Sequence, residues 1–176
     1  KVLYRKAVGM ANLELNVPMT PENVIEIGSI TKQFTAVAVL MLMEQGKLSI
    51  EGEITKFIPD YPTNGKTITV HHLLNHTSGI KSYTSMQSFM SLARQDMTPT
   101  EIIDHFKNEE MEFDPGEEWS YNNSAYIILG HIIEVVSEKS YADFIAENIF
   151  KPLGMKSSYY GSMTQLIPNR AAGYSP

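Results

Sequence analysis

Ser29 and Lys32 are the first residues whose types and spacing could do covalent chemistry. They stand at positions i and i+3 at the start of a long apolar segment, so a helix there would place both side chains on one face. A serine hydroxyl becomes a nucleophile when a neighbour takes its proton, and a lysine amine can do so where its surroundings favour the neutral form. The unpaired N–H groups of a helix N-terminus favour both the negative oxygen and the neutral amine. The spacing therefore indicates an acyl-transfer nucleophile with its base.

The S-x-x-K pattern is short, and this sequence contains a second copy. Ser78 and Lys81 have the same spacing, but Gly79 predicts that a helix stops between them. Residues i and i+3 no longer lie on the same helix face where the helix ends between them. We therefore interpret the second copy as a chance occurrence and keep Ser29 and Lys32.

Tyr121 and Asn123 form the second candidate group, directly after a turn at 114–116 and before an apolar segment. A phenol at Tyr121 could share a proton with Lys32, and the Asn123 amide could orient Lys32 or a substrate carbonyl. Taken alone, the same residues also fit a turn followed by an asparagine helix cap. The motif becomes informative only in combination with Ser29 and Lys32.

The combination resembles the serine β-lactamase and penicillin-binding-protein superfamily. Within it, the Y-x-N motif is similar to that of the class C β-lactamase, esterase and D-peptidase branch. The resemblance extends over almost the whole chain, through the blocks at 28–36, 73–79, 115–116, 119–123 and 152–155.

The resemblance implies a role for each matching residue. Ser29 would be the acylated nucleophile, Lys32 its general base, Tyr121 a proton-transfer partner, and Asn123 a contact to the substrate or to the lysine. The Ser29 N–H would form one half of an oxyanion hole. The implied function is a serine hydrolase that forms an acyl-enzyme on an ester, amide or β-lactam carbonyl of a small-molecule or peptide substrate. No metal or organic cofactor is implied, and a bacterial location outside the cytoplasm is suggested by the resemblance only.

One part of the family pattern is missing. The family has a third motif, a K-T-G or H-x-G strand that follows Y-x-N, and no segment after Asn123 matches it. We therefore expect the chain to be an N-terminal part of a larger unit. An alternative function stays open for the same reason: a non-catalytic fragment, or a penicillin-recognising sensor that binds or is acylated without turnover.

The order of predicted strands and helices around these residues indicates an α+β fold, which the resemblance identifies as the β-lactamase/transpeptidase type. We expect one unit over 1–176 with an incomplete antiparallel sheet. Strands are expected in about 1–28, and the nucleophile helix in 29–46 is apolar on all sides, which is typical of a fully buried helix ended by Gly46. Residues 66–154 should be mostly helical, with helices near 70–75, 98–108 and 124–138 and one more after Ser140. Residues 155–176 should return toward the sheet, with a strand near 158–161, and unpaired sheet edges predict self-association.

Composition narrows the function classes. The chain of 176 residues has a net charge of −6, no basic cluster and no cysteine, which disfavours nucleic acid as a partner and excludes thiol chemistry. No apolar stretch is long enough for a membrane segment.

His72 and His76 have zinc-ligand spacing, but Leu73 stands where the H-E-x-x-H pattern needs glutamate. We therefore expect a structural role, in which His76 forms a hydrogen bond to the backbone of a loop.

Overall fold

The computed structural model of the protein describes residues 2–93, 95–161 and 165–174. Two short antiparallel strands stand near the N-terminus, β1 (Met10–Asn12) and β2 (Val17–Pro18), with Met10 opposite Pro18. The described ranges contain these α-helices: α1 (Thr31–Glu44), α2 (Val70–Leu74), α3 (Phe89–Leu92), α4 (Pro99–Phe106), α5 (Asn123–Ser137) and α6 (Tyr141–Ile145), the last continued by a π-helical turn over Ala146–Phe150. The predicted α+β architecture, helix-rich with a small antiparallel sheet, is confirmed.

Residues 171 and 172 lie against the N-terminal part of the chain. Ala172 N donates to Ala11 O at 2.8 Å, and Ala171 N donates to Val24 O at 2.9 Å. The strand expected near 158–161 is wrong, because those residues are in an irregular segment. The segment that reaches the strands lies at 170–172 instead, where it pairs with Val24 as an isolated bridge.

Helix α1 ends as its sequence predicts. Gly46 follows the helix with φ +69°, and Lys47 N donates back to Leu42 O at 3.0 Å. This arrangement satisfies carbonyl groups that the last turn would otherwise leave unpaired.

The expected burial of α1 on all sides is wrong for the residues described. One face is buried, but Val37 and Leu40 on the other face are 46% and 41% exposed. The reason is architectural, because the helices pack against one side of α1 and the two short strands do not cover the other. The buried face carries Thr35, Ala38, Val39 and Leu42.

Helix α5 is the centre of the helical region and packs against α1, α2, α4 and α6. Its buried side chains recur at helical spacing, which gives one continuous apolar core with those of α1. This packing brings the start of α5, with Asn123, next to the start of α1, with Lys32. The buried apolar residues of α5 are Ala125, Ile128, Leu129, Ile132 and Ile133.

Side-chain caps fix where the helices of this region begin. Thr98 and Glu101 form a reciprocal capping box at α4, in which Glu101 N donates to Thr98 Oγ1 at 3.3 Å and Thr98 N donates to Glu101 Oε2 at 2.7 Å. Asn122 and Ser140 cap α5 and α6. None of the helices in the described ranges has the length and apolar character needed to cross a bilayer.

Candidate active site

Ser29 lies on a short 3₁₀ turn, Gly28–Ile30, that leads directly into α1. Lys32 follows one turn later, and its Nζ donates to Ser29 Oγ at 3.4 Å. Gly28 has φ +53°, although a Cβ there would meet nothing within 4 Å. The backbone conformation therefore explains the glycine, because residues with a side chain are disfavoured at left-handed φ values.

Tyr121 and Asn123 reach this pair from the loop before α5. Tyr121 Oη donates to Ser29 Oγ at 2.7 Å, and the Lys32 ammonium lies 4.7 Å from the centre of the Tyr121 ring. Lys32 Nζ also donates to Asn123 Oδ1 at 2.7 Å. The structure thus brings all four predicted site residues together from two distant parts of the sequence.

Both ends of the Asn123 amide have partners. Its Oδ1 accepts from Lys32, and its Nδ2 donates to Thr84 Oγ1 at 2.9 Å. The backbone N–H of Asn123 donates to Ser82 Oγ at 3.3 Å. Because the amide is held at both ends, it fixes the direction of the lysine side chain toward Ser29.

The electrostatic surroundings of Tyr121 favour its ionised form. Partial burial raises the pKa of Tyr121, but the Lys32 ammonium and the Ser29 hydroxyl, which stabilise a phenolate, outweigh burial and leave the pKa below its ordinary value near 10. The phenol remains 44% exposed. A Tyr121 phenolate would thus lie within hydrogen-bond distance of the Ser29 hydroxyl and beside a positive charge, where it could accept the serine proton.

His76 contacts the Tyr121 segment on both sides of the phenol. Its Nδ1 accepts from Asn122 N at 3.1 Å, and its carbonyl oxygen accepts from Ser120 N at 3.0 Å. Its ring lies 4.8 Å from the Tyr121 ring, centre to centre. Burial and then the Lys32 charge lower the pKa of His76, so the ring is neutral at pH 7. The predicted structural role, a bond from His76 to loop backbone, is confirmed.

Asn122 and Ser124 fasten the start of α5 to the segment that follows His76. The buried Asn122 side chain accepts from Ala125 N at 2.9 Å and donates to Ile80 O. Ser124 Oγ donates to Lys81 O at 2.7 Å and accepts from Tyr83 N at 2.8 Å. Sequence reasoning missed these anchors, because small polar residues at a helix start are equally typical of an ordinary cap.

The other sequence candidates have ordinary partners. His72 Nδ1 accepts from Thr69 N at 3.3 Å within the cap of α2. Lys81 Nζ donates to Glu112 Oε1 at 3.0 Å, and Ser78 Oγ accepts from Ile80 N at 3.4 Å. Within the described ranges, no group of three His, Cys, Asp or Glu side chains is arranged to hold a metal ion.

Comparison with models of protein families assigns this chain to a family. The Beta-lactamase family model matches residues 1–176. The chain belongs to the Beta-lactamase family. Among curated relatives, Penicillin-binding protein 4* of Bacillus subtilis is 35% identical over 181 residues, which cover 99% of this chain and 38% of that protein.

Solved structures of Beta-lactamase family relatives have the same fold. The octameric penicillin-binding protein homologue from Pyrococcus abyssi matches with a TM-score of 0.85 and 39% identity, covering 99% of this chain and 42% of that one. The D-amino acid amidase from Ochrobactrum anthropi SV3 matches with a TM-score of 0.81 and 32% identity, covering 95% of this chain and 47% of that one. This Beta-lactamase family chain thus spans less than half the length of the relatives named.

Proposed function

We propose that the protein is a serine hydrolase in which Ser29 is acylated by an ester, amide or β-lactam carbonyl and the acyl group is then transferred to water. The observation that carries the proposal is the 2.7 Å hydrogen bond between Tyr121 Oη and Ser29 Oγ, beside the Lys32 ammonium. A nucleophile in direct contact with a proton acceptor, itself oriented by a third group, is the arrangement that covalent catalysis needs. Names of relatives, a penicillin-binding protein and a D-amino acid amidase, support the same class of chemistry.

In the first step, Tyr121 acts in its phenolate form: Ser29 Oγ forms a bond to the substrate carbonyl carbon while the serine proton passes to the phenolate oxygen. Collapse of the tetrahedral intermediate breaks the bond to the leaving oxygen or nitrogen, which takes the proton back from Tyr121. In the second step, water attacks the acyl carbon and gives a proton to the Tyr121 phenolate. Tyr121 then passes this proton to Ser29 Oγ as the bond between Ser29 and the acyl group breaks, which restores the phenolate and the serine hydroxyl.

The distances support a division of roles between Tyr121 and Lys32. The phenol oxygen is 2.7 Å from Ser29 Oγ, whereas Lys32 Nζ is 3.4 Å away and is also bonded to Asn123. We therefore assign proton transfer to Tyr121. Lys32, expected from the resemblance to be the base, would supply the charge that stabilises the phenolate, and Asn123 would hold Lys32 in place.

The position of Ser29 also supports stabilisation of the intermediate. Ser29 lies at the N-terminal entry to α1, where backbone N–H groups and the helix dipole favour negative charge. We assign one donor of an oxyanion hole to the Ser29 N–H. This donor would act only while the carbonyl oxygen carries charge.

The intact mass of the protein after incubation with a fluorophosphonate, and separately with a penicillin, tests the proposal. We expect one adduct per chain, absent in Ser29→Ala and retained in Ser78→Ala, which removes the serine of the other S-x-x-K pattern. No adduct in a protein with a cooperative melting transition would reject the proposal. A stable penicillin adduct with no turnover of any ester would instead favour a penicillin-recognising sensor.

We also propose that residues 1–176 form one unit, with N-terminal strands in about 1–28, the nucleophile helix in 29–46, a helical region in 66–154 and a return to the strands in 155–176. Limited proteolysis should then give no stable smaller fragment. A protease-resistant core that lacks one of these segments would divide the unit.

Exposed apolar side chains favour self-association of this chain. Leu3, Tyr4 and Val8 near the N-terminus and Val37 and Leu40 on α1 are exposed, and short unpaired strand edges attract other chains. The Pyrococcus abyssi relative is described as octameric. Light scattering should detect a mass above that of one chain, and a monomeric mass at all concentrations would contradict this.

A further inference from the structure

A cavity of about 500 Å³ opens beside Ser29 and continues between α1 and α5. Thr31, Lys32 and Thr35 line it from α1, and the lining from α5 runs along one face, from Asn123 at the start to Glu134. Ser29 and Thr35 are six residues apart, so the cavity extends past the nucleophile by about 9 Å at the usual helical rise. The cavity is therefore continuous with the reacting serine and long enough for more than an acetyl group.

The walls of this cavity are mostly apolar. Aromatic and aliphatic side chains from several segments of the chain line it, and α5 presents Gly130 where another residue would project a side chain. A Cβ at Gly130 would lie 3.7 Å from Tyr141 Cδ2, which is an ordinary contact. The cavity depth therefore depends on a residue that has no side chain. The apolar lining includes Ile102, Tyr126, Ile127, Tyr141 and Tyr160.

The far end of the cavity is closed by polar groups that are already paired. Thr35 Oγ1 and Tyr141 Oη share a hydrogen bond of 2.7 Å, and Glu134 Oε1 accepts from Tyr141 N at 2.9 Å. The Glu134 carboxylate gives this end negative charge. An acyl group that ends in a carboxylate would meet repulsion there, whereas an uncharged acyl group would bury its surface against the walls.

We infer that this cavity binds the acyl part of the substrate and selects esters or amides with an uncharged, apolar acyl group about as long as hexanoyl. The inference rests on the proposed function, because the cavity begins at the proposed nucleophile. Burial of apolar surface supplies the selectivity, at about a fourfold gain for each methylene removed from water.

The test compares kcat/KM of the protein for p-nitrophenyl acetate, butyrate and hexanoate, and for a hexanoate analogue that ends in a carboxylate. We expect the hexanoate value to exceed the acetate value by at least about tenfold, and the carboxylate analogue to react more slowly than hexanoate. Gly130→Leu should remove the advantage of hexanoate over acetate. Val135→Leu places the same leucine side chain on the exposed face of α5, outside the cavity lining, and should leave the advantage of hexanoate unchanged.

The outcomes separate this inference from the proposed function. Fluorophosphonate labelling at Ser29 together with a flat or inverted chain-length profile would overturn the acyl-binding cavity and leave the hydrolase intact. A profile that survives Gly130→Leu would also overturn it, as would a preference for the carboxylate analogue. Absence of both labelling and ester turnover would reject the hydrolase and the cavity assignment together.

Discussion

His76 is bonded to both sequence neighbours of Tyr121. Its carbonyl oxygen accepts a hydrogen bond from Ser120 N, and its Nδ1 accepts one from Asn122 N, while its ring packs against the phenol. Because His76 adopts φ +65°, a backbone bend presents the carbonyl and the ring to the same loop. We interpret His76 as a positioning residue that sets where the Tyr121 oxygen meets Ser29.

The first prediction concerns His76→Phe. Phenylalanine keeps a ring beside Tyr121 but offers no acceptor to Asn122 N–H, so the loop should shift. Small displacements at a reacting centre cost up to about 10²-fold in rate, and we expect kcat to fall by about 10- to 100-fold with a smaller change in KM. His76→Asn should recover part of the loss, because asparagine can accept at a similar position and tolerates left-handed φ.

Two measurements keep this prediction distinct from general destabilisation. The melting temperature of each variant is compared with the rate of Ser29 labelling at a temperature where all variants are folded. Trp119→Phe serves as the control. The Trp119 ring packs edge-on against the His76 ring, with the ring centres 6.1 Å apart, and phenylalanine keeps an aromatic ring at that position. This variant should leave the labelling rate nearly unchanged. Equal rates for folded His76→Phe and the parent protein would remove His76 from the site.

The second prediction concerns the pH dependence of Ser29 acylation. If Tyr121 is the base, the rate should rise with pH as the phenol ionises, and the midpoint should lie below the ordinary phenol pKa near 10 because the pKa of Tyr121 is lowered. Tyr121→Phe should abolish this limb of the profile and lower the rate by about 10²- to 10⁴-fold. The measurement is the fluorophosphonate labelling rate between pH 6 and pH 10.

Substitutions of Lys32 separate charge from proton transfer. Lys32→Met removes the positive charge beside the phenol, so the midpoint should move to higher pH. Lys32→Arg keeps the charge, and its midpoint should stay closer to that of the parent. If both variants lose the pH-dependent limb altogether, Lys32 rather than Tyr121 is the base.

Much of this site could be predicted from the sequence because its residues lie at helix starts. The facing of Ser29 and Lys32 follows from helical spacing, and the cap at Thr98 and the end at Gly46 follow from backbone groups that need partners. The approach of Tyr121 to Ser29 could not be derived from spacing. It depends on the packing of α5 against α1, across 92 positions of sequence.

The wrong expectations have a common physical cause. Apolar content predicted that α1 is buried on all sides, yet burial depends on which segments pack around a helix and not on its composition alone. The sequence predicts a strand near 158–161, but a strand forms only where a neighbouring backbone segment can pair with it, and Val24 pairs with Arg170 instead. The anchors at Asn122 and Ser124 were missed because their bonds cross to residues about 40 positions away.

The third prediction concerns stability in mild acid. Burial lowers the pKa of His72 and, together with the Lys32 charge, that of His76, so both rings bind fewer protons in the folded than in the unfolded protein. The unfolded state gains protons first as the pH falls below about 6.5, and the free energy of unfolding should therefore decrease from there toward the lower folded pKa values. Urea denaturation at pH 7.5 and at pH 5.5 measures this. His76→Asn should weaken the dependence, and an equal loss in that variant would exclude His76 as a contributor.

The fourth prediction compares Gly79→Ala with Gly65→Ala. Both glycines have positive φ, at +70° and +78°, but a Cβ at Gly79 would lie 1.9 Å from Phe113 O, whereas one at Gly65 would meet nothing within 4 Å. Gly65→Ala should cost only the left-handed conformation, about 1 to 2 kcal/mol. Gly79→Ala must in addition push the backbone at Phe113 away, and we expect a loss above about 4 kcal/mol. Urea denaturation of the two variants gives both numbers. Similar losses would mean that the two segments move apart freely, and the loop that carries His76 would then not be held by this close approach.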